Sequence, residues 1–337
     1  MIEDLPDIAS LLATGDVAVE NLQTAAGRVI SALRIGTGQL LVAERWALPL
    51  VQGRSSTPVF GEMSPVKNRE LLAGLVPARM PLRQNFNEAV VVNGSLNYYH
   101  FLVFNMPRLL FLAQLARKPS MTLVTTQGFP ASATALMTRL LPVLANGRGV
   151  ETVMAGEGLY DIADTLIPVR TPSDVPVWMG GHVVLPFVLR EAGISDPLRA
   201  LGPLKLFVRR DGAATGRNLI NQAEVEAWLT ARGYTSVNPG TLSMEDQVLL
   251  FSRATDIVGV EGAAMTNIIF AVNAKRIAVL KSPAVNDEKF FSILAKNMTA
   301  AFSNILGEID PAHIAAGRAA DYTVAVTKLE ALISELS

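Results

Sequence analysis

The chain has 337 residues, no cysteine, and a formal net charge of −1 from 29 Lys+Arg against 30 Asp+Glu. That length suits two cores meeting at a cleft, where small ligands usually bind. The balanced charge removes any global pull toward nucleic acid or anionic lipid, so an anion site has to be local. Without cysteine there are no disulfides, thiolate nucleophiles or cysteine-ligated zinc, which fits a reducing compartment.

The opening MIEDLPDIAS is acidic and lacks the basic region and apolar run of a secretory signal. No stretch approaches the ~18 uninterrupted apolar residues of a membrane span, so the expectation is a cytoplasmic protein. Hydrophobic residues make up 50% and mean hydropathy is +0.33. These leave room for a homo-oligomer interface or a peripheral contact at the inner face of the membrane.

Residues 15–53 read as short strands separated by glycine turns. In VISALRIGTGQLLVAE, the Gly36-Thr37-Gly38 step is predicted to be such a turn. A dinucleotide fingerprint fails there, because no third glycine follows at the required spacing. The segment 54–87 is turn-rich and is expected to wrap the surface. From Ala89 the pattern alternates: AVVVNG as a buried strand, 97–117 as a helix, MTLVTT as a strand, SATALMTRLLPVL as a helix, then VETVMA and TLIPV as strands. Pro107 predicts a kink, or a helix stop near Met106. The proline-bearing loop RTPSDVPVWMGGH, which carries His182, leads to PFVLREAGI and SDPLRALGP, and the domain boundary is placed near Ser195.

The second half alternates more regularly: LKLFVRR, EVEAWLTARG, YTSVNP, SMEDQVLLFSRA, TDIVGV, GAAMTNIIFAV and KRIAVL read as strand, helix, strand, helix, strand, helix and strand. That is a doubly wound α/β domain, with ligands at the carboxyl ends of its strands. DYTVAVTKLEALISEL is helical from Val324, with Asp321-Tyr322-Thr323 as a cap region. The expected organisation is α/β, with an N-terminal domain 1–195 (a β-rich prelude 1–60 and an α/β part 88–195), a second domain 196–305 and a helical tail 306–337 packing back on the body.

No P-loop, H-E-x-x-H, G-x-S-x-G or D-x-D is present. A metal-dependent nucleotide-sugar enzyme needs carboxylates to hold the cation that neutralises the diphosphate; without them, arginines and helix N-termini must do so. In FVRRDGAATGRNLIN a strand ends in Arg209 and Arg210, and a glycine-bearing loop supplies Arg217. Bidentate phosphate pairing and a solvated loop are both open for it. In IVGVEGAAMTN a strand runs into Glu261-Gly262 and a small-residue helix start, which suits either a ligand's approach or tight packing. In LNYYHFLVFNMPRLLF, helical spacing puts His100, Phe104 and Arg108 on one face, as a site wall or as core. The three histidines, His100, His182 and His313, are too scattered for a metal triad.

Taken in order, Tyr98-Tyr99-His100-Phe101-Leu102 with Pro107-Arg108-Leu109, Val208-Arg209-Arg210, Arg217, Asn221, Glu224, Gly233, Gln247, Glu261-Gly262-Ala263-Ala264-Met265-Thr266-Asn267 and Phe270 resemble glycosyltransferase family 61. Many bacterial members are described as capsular polysaccharide biosynthesis proteins. The resemblance implies a GT-B-like architecture, two Rossmann-like doubly wound domains facing a cleft. It also implies metal-independent transfer, with inversion, from a nucleotide-sugar donor (a UDP-sugar first) to a glycan or lipid-linked acceptor in envelope or capsule biosynthesis, with no cofactor and no nucleic-acid partner. Arg209, Arg217, Asn221, Gln247, Gly262, Ala263 and Asn267 would bind the donor. Tyr99, Asn105 and Arg108 would lie on the acceptor side, with His100 or Glu261 as the base.

Two positions depart from the family pattern. Phe104 stands where an acidic residue usually follows the histidine, and Glu261 stands where a histidine usually precedes Gly-Ala. A carboxylate beside a diphosphate costs affinity by like-charge repulsion. Both departures support an alternative, a degenerate member that binds sugar nucleotide or glycan as a scaffold.

Overall fold

The computed structural model describes residues 10–23, 29–43, 46–52, 54–55, 81–92, 95–115, 120–168, 179–212, 216–285, 290–309 and 311–334. The chain forms two compact units, Met1–Pro176 and Val177–Ser337. Most of the stretch 54–87 expected to wrap the surface, and the proline-bearing part of the loop before His182, lie outside the described residues.

The first unit opens with β1 (Val17–Gln23), β2 (Val29–Ala43), β3 (Trp46–Val51) and β4 (Arg54–Ser55), paired antiparallel. β2 runs unbroken for 15 residues through Gly36-Thr37-Gly38, so the expected turn is absent. Instead the glycines mark where the strand changes the face it buries: Leu33 and Ile35 before them, and Leu40 and Val42 after them, enter the same core. A period of two cannot do that without a local twist, which residues lacking Cβ permit. Gly38 also passes so close to β3 that an added Cβ would lie 2.9 Å from the Leu50 carbonyl oxygen.

The short β5 (Phe86–Asn87) and the fully buried β6 (Ala89–Val92) precede a helical stretch. A turn at Tyr98–His100 passes into a π-helical turn at Phe101–Asn105 and then into α1 (Met106–Leu115). β7 (Ser120–Thr125), α2 (Ala131–Leu144), β8 (Gly149–Met154) and β9 (Gly158–Pro168) complete the unit. The sheet order is β4-β3-β2-β9-β6-β7-β8, with β1 on β2 and β5 on β9. β6, β7 and β8 are parallel as expected, but β9 lies parallel to β6 and antiparallel to β2. This first sheet is therefore mixed rather than doubly wound: the β-rich prelude, expected as a separate segment, pairs with β9 and extends it.

The second unit contains α3 (Met179–Glu191), α4 (Pro197–Leu201), β10 (Leu204–Val208), α5 (Gln222–Thr230), β11 (Tyr234–Val237), α6 (Met244–Ser252), β12 (Ala254–Val260), a 3-10 segment Ala263–Phe270, β13 (Arg276–Lys281), α7 (Phe290–Asn297) and β14 (Ala301–Leu306). It ends with β15 (Glu308–Ile309), a 3-10 segment Pro311–Ala319, β16 (Tyr322–Thr323) and α8 (Val326–Ser334). Helix starts follow the local chemistry: Asp196 accepts from the Leu198 and Arg199 amides, and Ser243 from the Asp246 amide. Five strands, all parallel, run in the order β11-β10-β12-β13-β14. The order reverses between β10 and β12, which makes their carboxyl ends the switch point where doubly wound sheets bind ligands.

The division falls at Pro176/Val177 rather than near Ser195. The reason is α3, which packs on α6 and on the 3-10 segment Ala263–Phe270. Gly181 makes that approach possible, since a Cβ there would sit 2.4 Å from the Ile269 carbonyl oxygen. His182 accordingly lies on this helix, exposed, and not in a loop. The C-terminal segment is integral to the second unit, with Tyr322, Val324 and Leu329 in the same core as Phe207, Val258 and Leu280. Tyr322-Thr323 is a strand pairing with β15, not a helix cap. Among the described residues no helix is long and apolar enough to cross a membrane.

Candidate active site

The carboxyl ends of β10, β12 and β13 bring together residues far apart in sequence. Successive residues of a strand point to opposite faces, so Arg209 and Arg210 diverge as they leave β10. Arg209 turns to carboxylates, with Asp211 at 3.4 Å and Glu226 of α5 at 3.6 Å. Arg210 turns toward β12: its Nη1 donates to the Glu261 carbonyl (2.6 Å) and its Nη2 to the Gly216 carbonyl (3.0 Å). A Cβ on Gly262 would lie 3.3 Å from this guanidinium. Arg210, named in the sequence only as part of the strand end, is thus the arginine beside Gly262. Burial and the neighbouring Arg217 lower its proton affinity, against the pull of Tyr322, Glu261 and Asp321.

Arg217 reaches the same place from the following loop, with its Nη1 3.9 Å from Glu261 Oε2. The stretch from Gly216 to Ile220 is held by the C-terminal segment. The Arg217 amide donates to the Ala319 carbonyl and the Asn218 amide to Asp321 Oδ1, while Tyr322 and Ile220 exchange strand-like bonds with this stretch. Gly216 has φ +71°, and a Cβ there would stand 2.1 Å from the Ala319 oxygen, so only glycine fits. Arg217 itself sits at φ 61°, in the left-handed region sparsely used by such a side chain.

Glu261 is 4% exposed, and its Oε1 lies 3.4 Å from the Lys281 ammonium, itself 1% exposed. The carboxylate that looked electrically awkward in the sequence therefore sits between two cations. Burial and the Glu261 charge push the Tyr322 hydroxyl above its ordinary value, against Arg210 and Arg217. The neutral hydroxyl donates to the Leu280 carbonyl at 2.7 Å. Lys281 was missed in the sequence because it ends an ordinary apolar strand; only the pairing of β12 with β13 sets it beside Glu261.

Other residues expected on the donor side make bonds within the second unit. Asn267 and Gln247 are buried and bond each other at 2.7 Å, and Gln247 also donates to the Leu242 carbonyl. They tie the 3-10 segment to α6 and do not line an open surface. Asn221 donates to the Val324 carbonyl and to Glu224 and accepts from the Val324 amide, fastening the tail. Ala263 follows Gly262 as the start of a 3-10 rather than an α-helical segment.

In the first unit, Asn97 accepts from the His100 amide and starts the helical stretch. The Tyr99 ring meets the His100 imidazole edge-on at 5.4 Å. The Met106 amide bonds back to the Phe101 carbonyl, five residues earlier, and this wider turn precedes Pro107. The proline ring thereby avoids the clash it would make with a regular α turn, so the helix neither stops near Met106 nor breaks, and Pro107 is buried inside it. The π turn also shifts the register, so His100 and Arg108 are not stacked as in a continuous α-helix. Asn105 is 4% exposed, Arg108 partly exposed, and the Phe104 side chain lies outside the described residues. Among the described residues no group of three or more His, Asp or Glu is placed to hold a metal ion.

No curated protein matches the chain. Among solved structures it is similar to the bacterial iron-containing dodecameric glycosyltransferase TibC from enterotoxigenic E. coli H10407, with 9% identity, TM-score 0.34, and 88% of this chain and 82% of that chain covered. It is also similar to the dodecameric iron-containing heptosyltransferase TibC in complex with ADP-D-beta-D-heptose, with 11% identity, TM-score 0.33, and 74% and 75% covered. Residues 98–280, over half the chain and spanning both the helical stretch at Tyr98 and the strand ends at Arg210, Glu261 and Leu280, match glycosyltransferase 61, and the chain belongs to that family.

Proposed function

We propose that this protein is a cytoplasmic, metal-independent glycosyltransferase that moves a sugar with inversion from a nucleotide donor, a UDP-sugar first, to a glycan or lipid-linked acceptor of the cell envelope. The reading rests on one observation above the others: where the parallel strands β10, β12 and β13 end, Arg210 lies beside Gly262 while Arg217 and Lys281 flank the adjoining Glu261 carboxylate. Guanidinium groups there suit the negative charge that develops on a departing diphosphate. Arg209, held by two carboxylates, is assigned a secondary part.

His100 is the proposed base, because apart from Phe104 the family pattern around it is kept and an imidazole nitrogen can accept the acceptor's proton. Glu261, enclosed between Lys281 and Arg217, is better placed to order those cations than to meet an acceptor hydroxyl. Tyr99 and Arg108 remain assigned to the acceptor side. Donor on the second unit and acceptor on the first is the GT-B-like organisation this reading requires.

The test is a thermal-shift and calorimetric panel of UDP, GDP, CMP and TDP and their sugar conjugates, with and without EDTA, on the wild type and Arg210→Ala. Selective stabilisation that survives EDTA and disappears in the variant is expected. A folded protein that binds none of them would end the transferase reading. A second reading, a binding scaffold without turnover, is favoured by Phe104 in place of the usual carboxylate. Donor binding with neither hydrolysis nor transfer to any acceptor would select it.

A further inference from the structure

The cationic cluster contains one group that a phosphate-binding role does not require. Lys281 is among the largest fully buried side chains of the protein, yet lysine is rarely buried and the cost of removing its charge from water is high. Such a cost is met only where a specific partner is held in place. Here the partner is held by register. β12 and β13 align Val260 with Leu280, the Glu261 amide donates to the Leu280 carbonyl at 3.0 Å, and so Glu261 and Lys281 leave adjacent parallel strands side by side. The backbone around the lysine is fixed on its other side as well: the Gly307 amide donates to the Lys281 carbonyl, and the Ser282 hydroxyl to the Ala320 carbonyl.

Glu261 then divides its two oxygens. Oε1 faces buried Lys281 at 3.4 Å, and Oε2 faces Arg217 at 3.9 Å, whose side chain is 27% exposed. Without the lysine, the Glu261 carboxylate would draw more heavily on Arg217 and the nearby Arg210, weakening the field that an incoming anion needs. With it, the carboxylate's charge is offset by the buried ammonium, and the two arginines keep more of their own charge for an anion while the carboxylate still orients Arg217. Tyr322 also borders the carboxylate, but as a neutral hydroxyl committed to the Leu280 carbonyl it adds no charge.

We propose that Lys281 is a positioning residue of the donor end: it neutralises Glu261 and thereby sets Arg217 to receive the phosphates of a nucleotide donor. The inference rests on the transferase reading above and deepens it.

The experiment is calorimetry on the wild type, Lys281→Met, Glu261→Gln and the double variant, using whichever of UDP, GDP and TDP binds the wild type best and its matching nucleoside as the control. Lys281→Met is expected to weaken the diphosphate by about tenfold or more while leaving the nucleoside within about twofold, and Glu261→Gln in the same chain to restore most of the loss. Should Lys281→Met fail to fold, the Glu261→Gln background carries the test: adding Lys281→Met there changes diphosphate affinity by less than about threefold. A full loss in that background would make the lysine a direct ligand or a packing group and overturn the proposal, as would equal losses for diphosphate and nucleoside. A wild type that binds none of the diphosphates overturns the transferase reading and this inference with it, whereas wild-type binding unaffected by Lys281→Met overturns the inference alone.

Discussion

The helical stretch 98–115 and the strand ends around Gly262 carry the two halves of one family pattern, and they are built in opposite ways. The helical stretch is local: Asn97 caps it, Tyr99 lies edge-on to the adjacent His100, and a π turn five residues long accommodates Pro107. The strand ends depend on contacts distant in sequence, with Arg210 bonded to the carbonyl of Glu261, Arg217 to that of Ala319, and Glu261 set beside Lys281. Substitutions in the first are therefore expected to change chemistry while sparing the fold. In the second, chemistry and fold are difficult to separate, because the same bonds shape the loop and place the charges.

The largest effect tests the first half. His100→Ala should lower transfer by about 10²–10⁴-fold while nucleotide binding and the unfolding midpoint stay near wild type. A matching loss of stability would erase the contrast, and unchanged turnover would remove the base assignment. Next comes Arg210→Ala, which deletes charge-assisted bonds to two carbonyls. It should cost about 3 kcal/mol in urea unfolding and abolish measurable diphosphate binding. Gly216→Ala should cost about 2–3 kcal/mol by forcing a side chain into the left-handed region against Ala319. Its signature is faster proteolysis of the tail beyond Pro311, since that contact fastens the tail to the Arg217 loop.

Smaller effects sharpen the division between holding and binding. Asn267→Ala leaves the buried Gln247 amide oxygen without its 2.7 Å donor and should cost about 2 kcal/mol. Diphosphate affinity of the folded fraction should hardly move, and a selective loss of affinity would return Asn267 to the donor site. Arg209→Ala, breaking two longer, partly exposed ion pairs, should cost about 0.5 kcal/mol or less. An effect on binding equal to that of Arg210→Ala would reverse the roles assigned to the two neighbours.

Much of the second unit was legible in advance. The apolar runs LKLFV, TDIVGV and RIAVL separated by helical periods are what a parallel, doubly wound sheet requires, and the structure arranges them so. The first unit was less so. Gly36-Thr37-Gly38 has the composition of a turn, yet the strand passes through it, because two strands approaching closely need the absence of Cβ as much as a turn needs its conformational freedom. At Asn221, Gln247 and Asn267 the sequence is equally silent about partners: a polar side chain in a motif looks the same whether it bonds a ligand or a neighbouring amide or carbonyl.

By itself the sequence determined the alternation of elements, the family, and the arrival of arginines at strand ends, since each is written in periodicity or in the order of short motifs. Tertiary structure alone decided which arginine of the Arg209-Arg210 pair approaches Gly262, and that Glu261 is enclosed by Lys281 and Arg217. Those outcomes depend on strand pleat and on the register of β12 against β13. Both are fixed by packing across the whole sheet, and no local stretch of residues encodes them.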